Sequence, residues 1–239
     1  VVQGEVEHLV AERVWQEFEA ALGERSPAEF IRQLRRSKAL AVIMPELDRL
    51  FGVPQTEKYH PEIDTGEHTL LALQQAADLN APVSARYAVL LHDLGKGLTP
   101  KEQWPAHIGH ERRGAALVEA VSKRLRAPKH YQALATLVTL YHTHCHRAFE
   151  MRPVKILELL EHTDALRRPE RFEEFLIACE ADARGRLGLE QRPYPQADFL
   201  RQALEQVQQV DTAALLQQGL TGVASVPYTP LTLPTTLRV

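Results

Sequence analysis

Only two cysteines, Cys145 and Cys179, occur in 239 residues. Two are too few for a disulfide framework, so they are expected to be reduced thiols in a cytoplasmic protein. No run of about 18 apolar residues is present, so no membrane partner is expected. The opening stretch VVQGEVEHLVAERVW carries charges where a secretory leader needs an apolar segment. The chain has no excess of positive charge: its formal net charge is −3 and its isoelectric point is near 6.4. That excludes a protein that holds nucleic acid through a global positive field, while leaving room for local basic patches. Strand-like alternation is also scarce.

What recurs instead is the 3.6-residue period, punctuated by prolines at 27, 45, 54, 61, 82, 100, 128, 153 and 169. The fold class predicted is all-α. Residues 1–55 are expected to form a helical connector and residues 56–190 the domain that holds the chemistry. Residues 191–222 are expected to be C-terminal helices, and residues 223–239, rich in Pro and Thr, a flexible tail or an appended remnant.

Three of the predicted helices carry polar residues on apolar faces. Asp64 is placed as an N-cap with Glu67 completing a capping box, which puts His68, Leu71, Ala72 and Leu79 on one side. In YAVLLHDLGKGLTP, Ser84 is expected to cap a helix whose inner face runs Ala85, Ala88, Val89 and His92, with Asp93 beside it. Gly95 is expected to end that helix as a left-handed residue. After Pro153, the residues Leu157, Leu160 and Asp164 share a face. A lone inward histidine is most often bonded to a backbone carbonyl. Two buried carboxylates are harder to dismiss, because each costs several kcal/mol without a compensating charge. A divalent ion supplies that charge, and imidazole with carboxylate suits Mn, Fe, Co, Ni, Zn or Mg. Such a set leaves coordination positions open for water and substrate.

The order His68, then His92-Asp93 followed by Gly95-Lys96, then a distant Asp164, resembles the HD superfamily of metal-dependent phosphohydrolases. More narrowly, HPEIDTGEHTLLALQQAA, ARYAVLLHDLGKGLTP, HIGHERRGAALV and HTDALRRPERFEEFLIACEADARGR are similar to the C-terminal half of bacterial multifunctional CCA-adding tRNA nucleotidyltransferases. The resemblance runs over about residues 5–222. It implies an HD-domain helical bundle with added N-terminal connecting helices and C-terminal helices. No Gly-rich strand and turn with paired acids is found, so the stretch is expected to lack the nucleotidyltransferase head and not to add CCA by itself.

The resemblance further implies 2′,3′-cyclic phosphodiesterase, 2′-nucleotidase and phosphatase activities, with His68, His92, Asp93 and Asp164 on the metal. The ion is expected to be Ni, Mg, Mn or Co, with one ion or two. Lys96 is read as a mobile point charge for a phosphate oxygen. His110 and His142 are the best candidates for a second metal or for protonating the leaving alkoxide, with His107 close by. A zinc site through His142, Cys145 and His146 is disfavoured by its close spacing on one helix. His144 and His146 are read as surface residues, and His8, His60, His130 and His162 receive no role. Arg112, Arg113 and Arg167 are the arginines expected to border the pocket and bind substrate. Asp182 also matches the family, as a capping or orienting residue. The partners implied are the 3′ end of tRNA and 2′,3′-cyclic or 2′-phosphate nucleotides. A homodimer is allowed, and a non-catalytic helical module that positions tRNA or mediates dimerisation is the alternative.

Overall fold

The computed structural model describes residues 10–210, and these form an all-α protein. In chain order the helices are α1 (Ala11–Gly23), α2 (Pro27–Arg36), α3 (Leu40–Ile43), α4 (Pro45–Asp48), α5 (Thr65–Asp78) and α6 (Val83–Leu91). They continue with α7 (His110–Leu125), α8 (Lys129–His146), α9 (Pro153–His162), α10 (Pro169–Arg184) and α11 (Pro195–Gln208). No strand occurs among the described residues, apart from an isolated bridge between Pro54 and Asp64. None of the described helices is long and apolar enough to cross a membrane. His8 and the residues beyond 210, which include the end of the stretch read as C-terminal helices and all of the tail, lie outside the described residues.

Helix starts follow the sequence rules. Proline occupies the first turn of α2, α4, α9, α10 and α11, where the missing N–H costs nothing. At α5 the Asp64 carboxylate accepts from the Glu67 amide at 2.9 Å, as its placement in the sequence predicts. Ser84 is a correction: Pro82 stands at the N-cap of α6, and Ser84, in the first turn, donates to Glu174 at 2.6 Å.

Helix α6 is buried at every position from Ser84 to Leu91, so it is apolar all round and sits at the centre. Helices α5, α8 and α10 surround it, and one continuous core runs from Trp15 in α1 to Leu204 in α11. Trp15 meets Tyr87 edge-on at 5.2 Å and Tyr131 at 4.9 Å, which fastens α1 to the bundle. Arg86 makes a second fastening. It is 9% exposed and donates to the carbonyls of Leu22 and Glu24 at 2.8 Å each and of Ala81 at 2.9 Å. The first two are acceptors at the C-terminal end of α1, which carries the negative end of the helix dipole. Arg86→Met leaves these acceptors without their donor, those of Leu22 and Ala81 in buried surroundings. It is expected to cost about 3 kcal/mol, read as a fall in melting temperature of roughly 10 °C in a thermal unfolding scan.

Candidate metal centre

Five helix ends meet at one cluster of side chains. His68 comes from the first turn of α5, His92 and Asp93 from the end of α6, and His110 from the start of α7. His142 and His146 come from the last turns of α8, one turn apart, and Asp182 from the last turn of α10. Asp182 is the hub: its Oδ1 lies 3.0 Å from His68 Nε2 and 3.6 Å from His92 Nε2, and its Oδ2 lies 2.6 Å from His146 Nε2. Asp93 is the second hub, 3.2 Å from His92 Nε2, 3.4 Å from His110 Nε2, 3.8 Å from His142 Nε2 and 2.6 Å from Lys96 Nζ. The two carboxylates are 1% and 2% exposed.

The imidazoles are aimed from behind. His92 Nδ1 donates to the Val89 carbonyl at 2.7 Å, His142 Nδ1 to Val138 at 2.9 Å and His110 Nδ1 to His107 at 3.0 Å. With Nδ1 carrying that proton, Nε2 is the atom each ring presents to the cavity. His92 Nε2, His110 Nε2 and both Asp93 oxygens are buried without an aligned hydrogen bond. Burial pushes the two carboxyls up, but the His92 ring, together with Lys96 and His110 at Asp93 and with His146 and His68 at Asp182, outweighs it. Both acids are therefore held well below the usual carboxylate range. Burial likewise lowers His92, yet Asp93 and Asp182 beside it raise it to about 9. Burial and the charge on His92 hold His142 well below its ordinary value, as a neutral ring.

The donor set therefore favours positive charge among its buried side chains. Three triads, His68–His92–Asp93, His92–His142–Asp182 and Asp93–His110–His142, each keep their donor atoms within 4.8 Å of one another. They share members and merge into a single cluster of hard and borderline ligands, which fits a divalent cation. The cavity is about 180 Å³.

Three of the four residues expected on the metal, His68, His92 and Asp93, come together here, and His110 and His142 join them. Asp164 does not. Helix α9 stops at His162, and the amides of Asp164 and Ala165 bond back to Glu161 and Leu160 at 2.9 Å each. That Schellman turn puts Asp164 at φ 56°, past the helical face it was assigned to. Its carboxylate faces Arg167, Arg168 and Arg171 at 3.8, 3.4 and 3.5 Å. Asp182, which sequence reasoning left as a capping or orienting residue, stands where an acid was expected.

Lys96 is also corrected: it is 8% exposed and clasped between Asp93 and Gln55 rather than mobile. Gly95 is not left-handed, since α6 ends at Leu91 and residues Leu94–Leu98 form a 3₁₀ turn. None of the three arginines expected at the pocket lines it. Arg112 is exposed, Arg113 donates to Ile108 and to Thr99, and Arg167 stands beside Asp164. Arg186 lines the cavity in their place, 3.8 Å from Asp182.

His146, read as a surface residue, also lines the cavity, with Nδ1 2.8 Å from the Tyr194 hydroxyl. His144 is exposed, and His107 lines the cavity with Nε2 donating to the Pro54 carbonyl at 2.8 Å. Cys145 belongs to none of the donor groups and faces Tyr194. His60 was given no role, yet it lines the cavity and donates to Glu62 at 3.1 Å, and burial pushes it down to about 4.

A family model described as an HD domain matches residues 65–186, and one described as a probable RNA and SrmB-binding site of polymerase A matches residues 3–51. The multifunctional CCA protein of Pseudomonas fluorescens strain Pf-5 is 59% identical over 219 residues, which is 92% of this chain and 54% of that relative. That of Teredinibacter turnerae is 55% identical over 222 residues, 93% of this chain and 54% of the relative. That of Thioalkalivibrio sulfidiphilus is 57% identical over 224 residues, 94% and 55%. The chain spans about half the length of the curated relatives it matches.

Proposed function

The chain belongs to the HD-domain family, and from that premise we propose that it is a metal-dependent phosphohydrolase acting on 2′,3′-cyclic and 2′-phosphate ends of RNA. The observation that carries the reading is the convergence of Asp93 and Asp182, both buried, among inward-aimed imidazoles. His68, His92, Asp93 and Asp182 would hold one ion, and His110 and His142 share Asp93 with it to offer a second position. When bound, a divalent ion polarises a phosphoryl oxygen and activates water for attack.

The chain's own residues do the rest. Lys96 and Arg186 bring two fixed positive charges to the cavity, which favours an anionic phosphoryl group. His142 presents a neutral Nε2 and so acts as an electron-pair donor rather than an acid. His110 and Lys96 are the groups beside Asp93 able to carry a proton to the oxygen that leaves phosphorus. His146, held between Tyr194 and Asp182, positions the hub carboxylate.

The cavity of about 180 Å³ equals roughly six water volumes. The counterpart of this chain is the C-terminal part of the multifunctional CCA proteins, which points to the 3′ end of tRNA as the RNA, in the cytoplasm. Arg32, Arg35 and Arg36, which line a second cavity with Phe51, fall within the stretch that matches the RNA-binding model and would follow its phosphates. That match also keeps open a module that positions RNA or pairs two copies without chemistry.

Metal analysis and hydrolysis of 2′,3′-cyclic AMP and p-nitrophenyl phosphate with Ni²⁺, Co²⁺, Mn²⁺ or Mg²⁺ separate the two readings. Turnover that needs an ion and disappears in Asp93→Ala is expected. A wild-type protein that takes up none of these ions and hydrolyses neither ester leaves only the RNA module, for which binding to tRNA should weaken steeply with salt.

A further inference from the structure

His68 has two ring nitrogens, and only Nε2 faces the cluster, where it donates to Asp182 Oδ1 at 3.0 Å. Nδ1 faces the other way. There Glu62 Oε1 lies 2.9 Å from it, the pair bent away from ideal hydrogen-bond alignment. Glu62 belongs to no helix. It sits in the turn before α5, and its side chain is 4% exposed. The same oxygen accepts from His60 at 3.1 Å, and the other oxygen accepts from the Leu187 amide, just beyond α10, at 3.3 Å. One carboxylate thus ties the loop to the backbone that follows Asp182, while reaching His68 from behind.

The backbone that delivers it is strained. Ile63 has φ 61°, a left-handed conformation that a β-branched residue rarely adopts. Its carbonyl is pinned by the Gln55 amide at 2.6 Å. Strain of this kind persists where the surroundings over-determine a functional placement.

We infer that Glu62 is a positioning residue for the metal centre: it accepts the His68 proton at Nδ1 when a cation takes the place of the Asp182 hydrogen bond at Nε2. A carboxylate behind a ligating imidazole sets its orientation and raises its basicity. Glu62 is acceptor-only when ionised, so a proton on His68 Nδ1 satisfies it and a bare Nδ1 would repel it. His92, His110 and His142 use backbone carbonyls for the same purpose. His68, in the first turn of α5, bonds no carbonyl through Nδ1 and takes its orienting group from the loop.

The inference rests on the metal reading above, and Mn²⁺ affinity measured by calorimetry tests the two separately. Glu62→Ala is expected to weaken Mn²⁺ binding by about 10–100-fold, and Glu62→Gln, which keeps one acceptor oxygen, to restore part of the loss. Wild-type affinity in Glu62→Ala, even with a lowered melting temperature, would show that Glu62 only braces the loop and would overturn the inference. A wild-type protein that binds no Mn²⁺ sinks the metal reading instead. In that event the nitrogen-15 shifts of His68 still decide on Glu62. Shifts of His68 that differ between wild type and Glu62→Ala sustain the positioning role, and unchanged shifts refute it.

Discussion

Asp182→Ala should lose divalent-ion binding and phosphate-ester turnover together, while Asp164→Ala keeps both. Asp182 touches His68, His92, His146 and Arg186 within 3.8 Å, so removing it leaves four cationic or polarised groups without their anion. Orienting groups behind a ligand are worth about 10–100-fold in metal affinity, and a carboxylate that ligates directly should exceed that upper figure. Turnover falls at least as far, because the ion and the neighbouring rings are displaced together.

Asp164 contributes something different. Its carboxylate lies among exposed arginines whose pairs are worth little, but its backbone holds a left-handed conformation that Asp tolerates better than Ala. Asp164→Ala is therefore expected to lower stability by about 1 kcal/mol, and Asp164→Gly to restore it. Ion affinity and turnover should stay within about twofold of wild type, the range of surface substitutions away from special features. Calorimetric ion titration, ester hydrolysis and thermal unfolding on the three variants read all of this. Ion binding that survives Asp182→Ala, or fails in Asp164→Ala, would return the site to the earlier assignment.

The two aspartates show what the sequence could and could not carry. Each lies in step with apolar residues: Leu157 and Leu160 ahead of Asp164, and Phe175 and Cys179 ahead of Asp182. What separates them is whether the helix is still a helix when the acid arrives. Helix α9 has turned back two residues earlier, whereas α10 runs on to Arg184. Helix ends depend on hydrogen bonds that close through space, so periodicity alone cannot rank the two acids. His142 was legible because an imidazole continuing the apolar face of Leu134 and Val138 has few other destinations, whereas His110 came from the family resemblance. Glu62 and Gln55 were not, since they enter from the segment between α4 and α5, where no period exists and strain decides the direction. The same applies to the arginines. Nearness to a motif in sequence selected Arg112 and Arg113, while the turn after α10 delivers Arg186.

Gly95 was read correctly as special but for the wrong reason, and the difference has a large measurable consequence. Its backbone needs no left-handed freedom; it needs the absence of a side chain. A Cβ there would lie 1.9 Å from the His110 carbonyl oxygen and 2.6 Å from the Gly114 amide nitrogen. Both are backbone atoms of α7, so no rotamer change can relieve the clash, and the 3₁₀ turn and α7 must separate. Overpacking a rigid core costs about 1–3 kcal/mol and occasionally more; with backbone on both sides, Gly95→Ala should reach the top of that range. For a chain of this size that lowers the melting temperature by roughly 10 °C.

Gly97→Ala is the internal control. Its Cβ would meet the tip of Leu50 at 3.3 Å and the flexible chain of Arg49 beyond it, so a loss below about 1 kcal/mol is expected. The effect of Gly95→Ala should extend to chemistry, because the displaced pieces carry Asp93 and Lys96 on one side and His110 on the other. Separating the turn from α7 lengthens the 3.4 Å approach of His110 to Asp93 and opens the second ion position before the first. A Gly95→Ala protein that melts within about 2 °C of wild type would mean that α7 is free to move. The site would then be held together by its ligands alone.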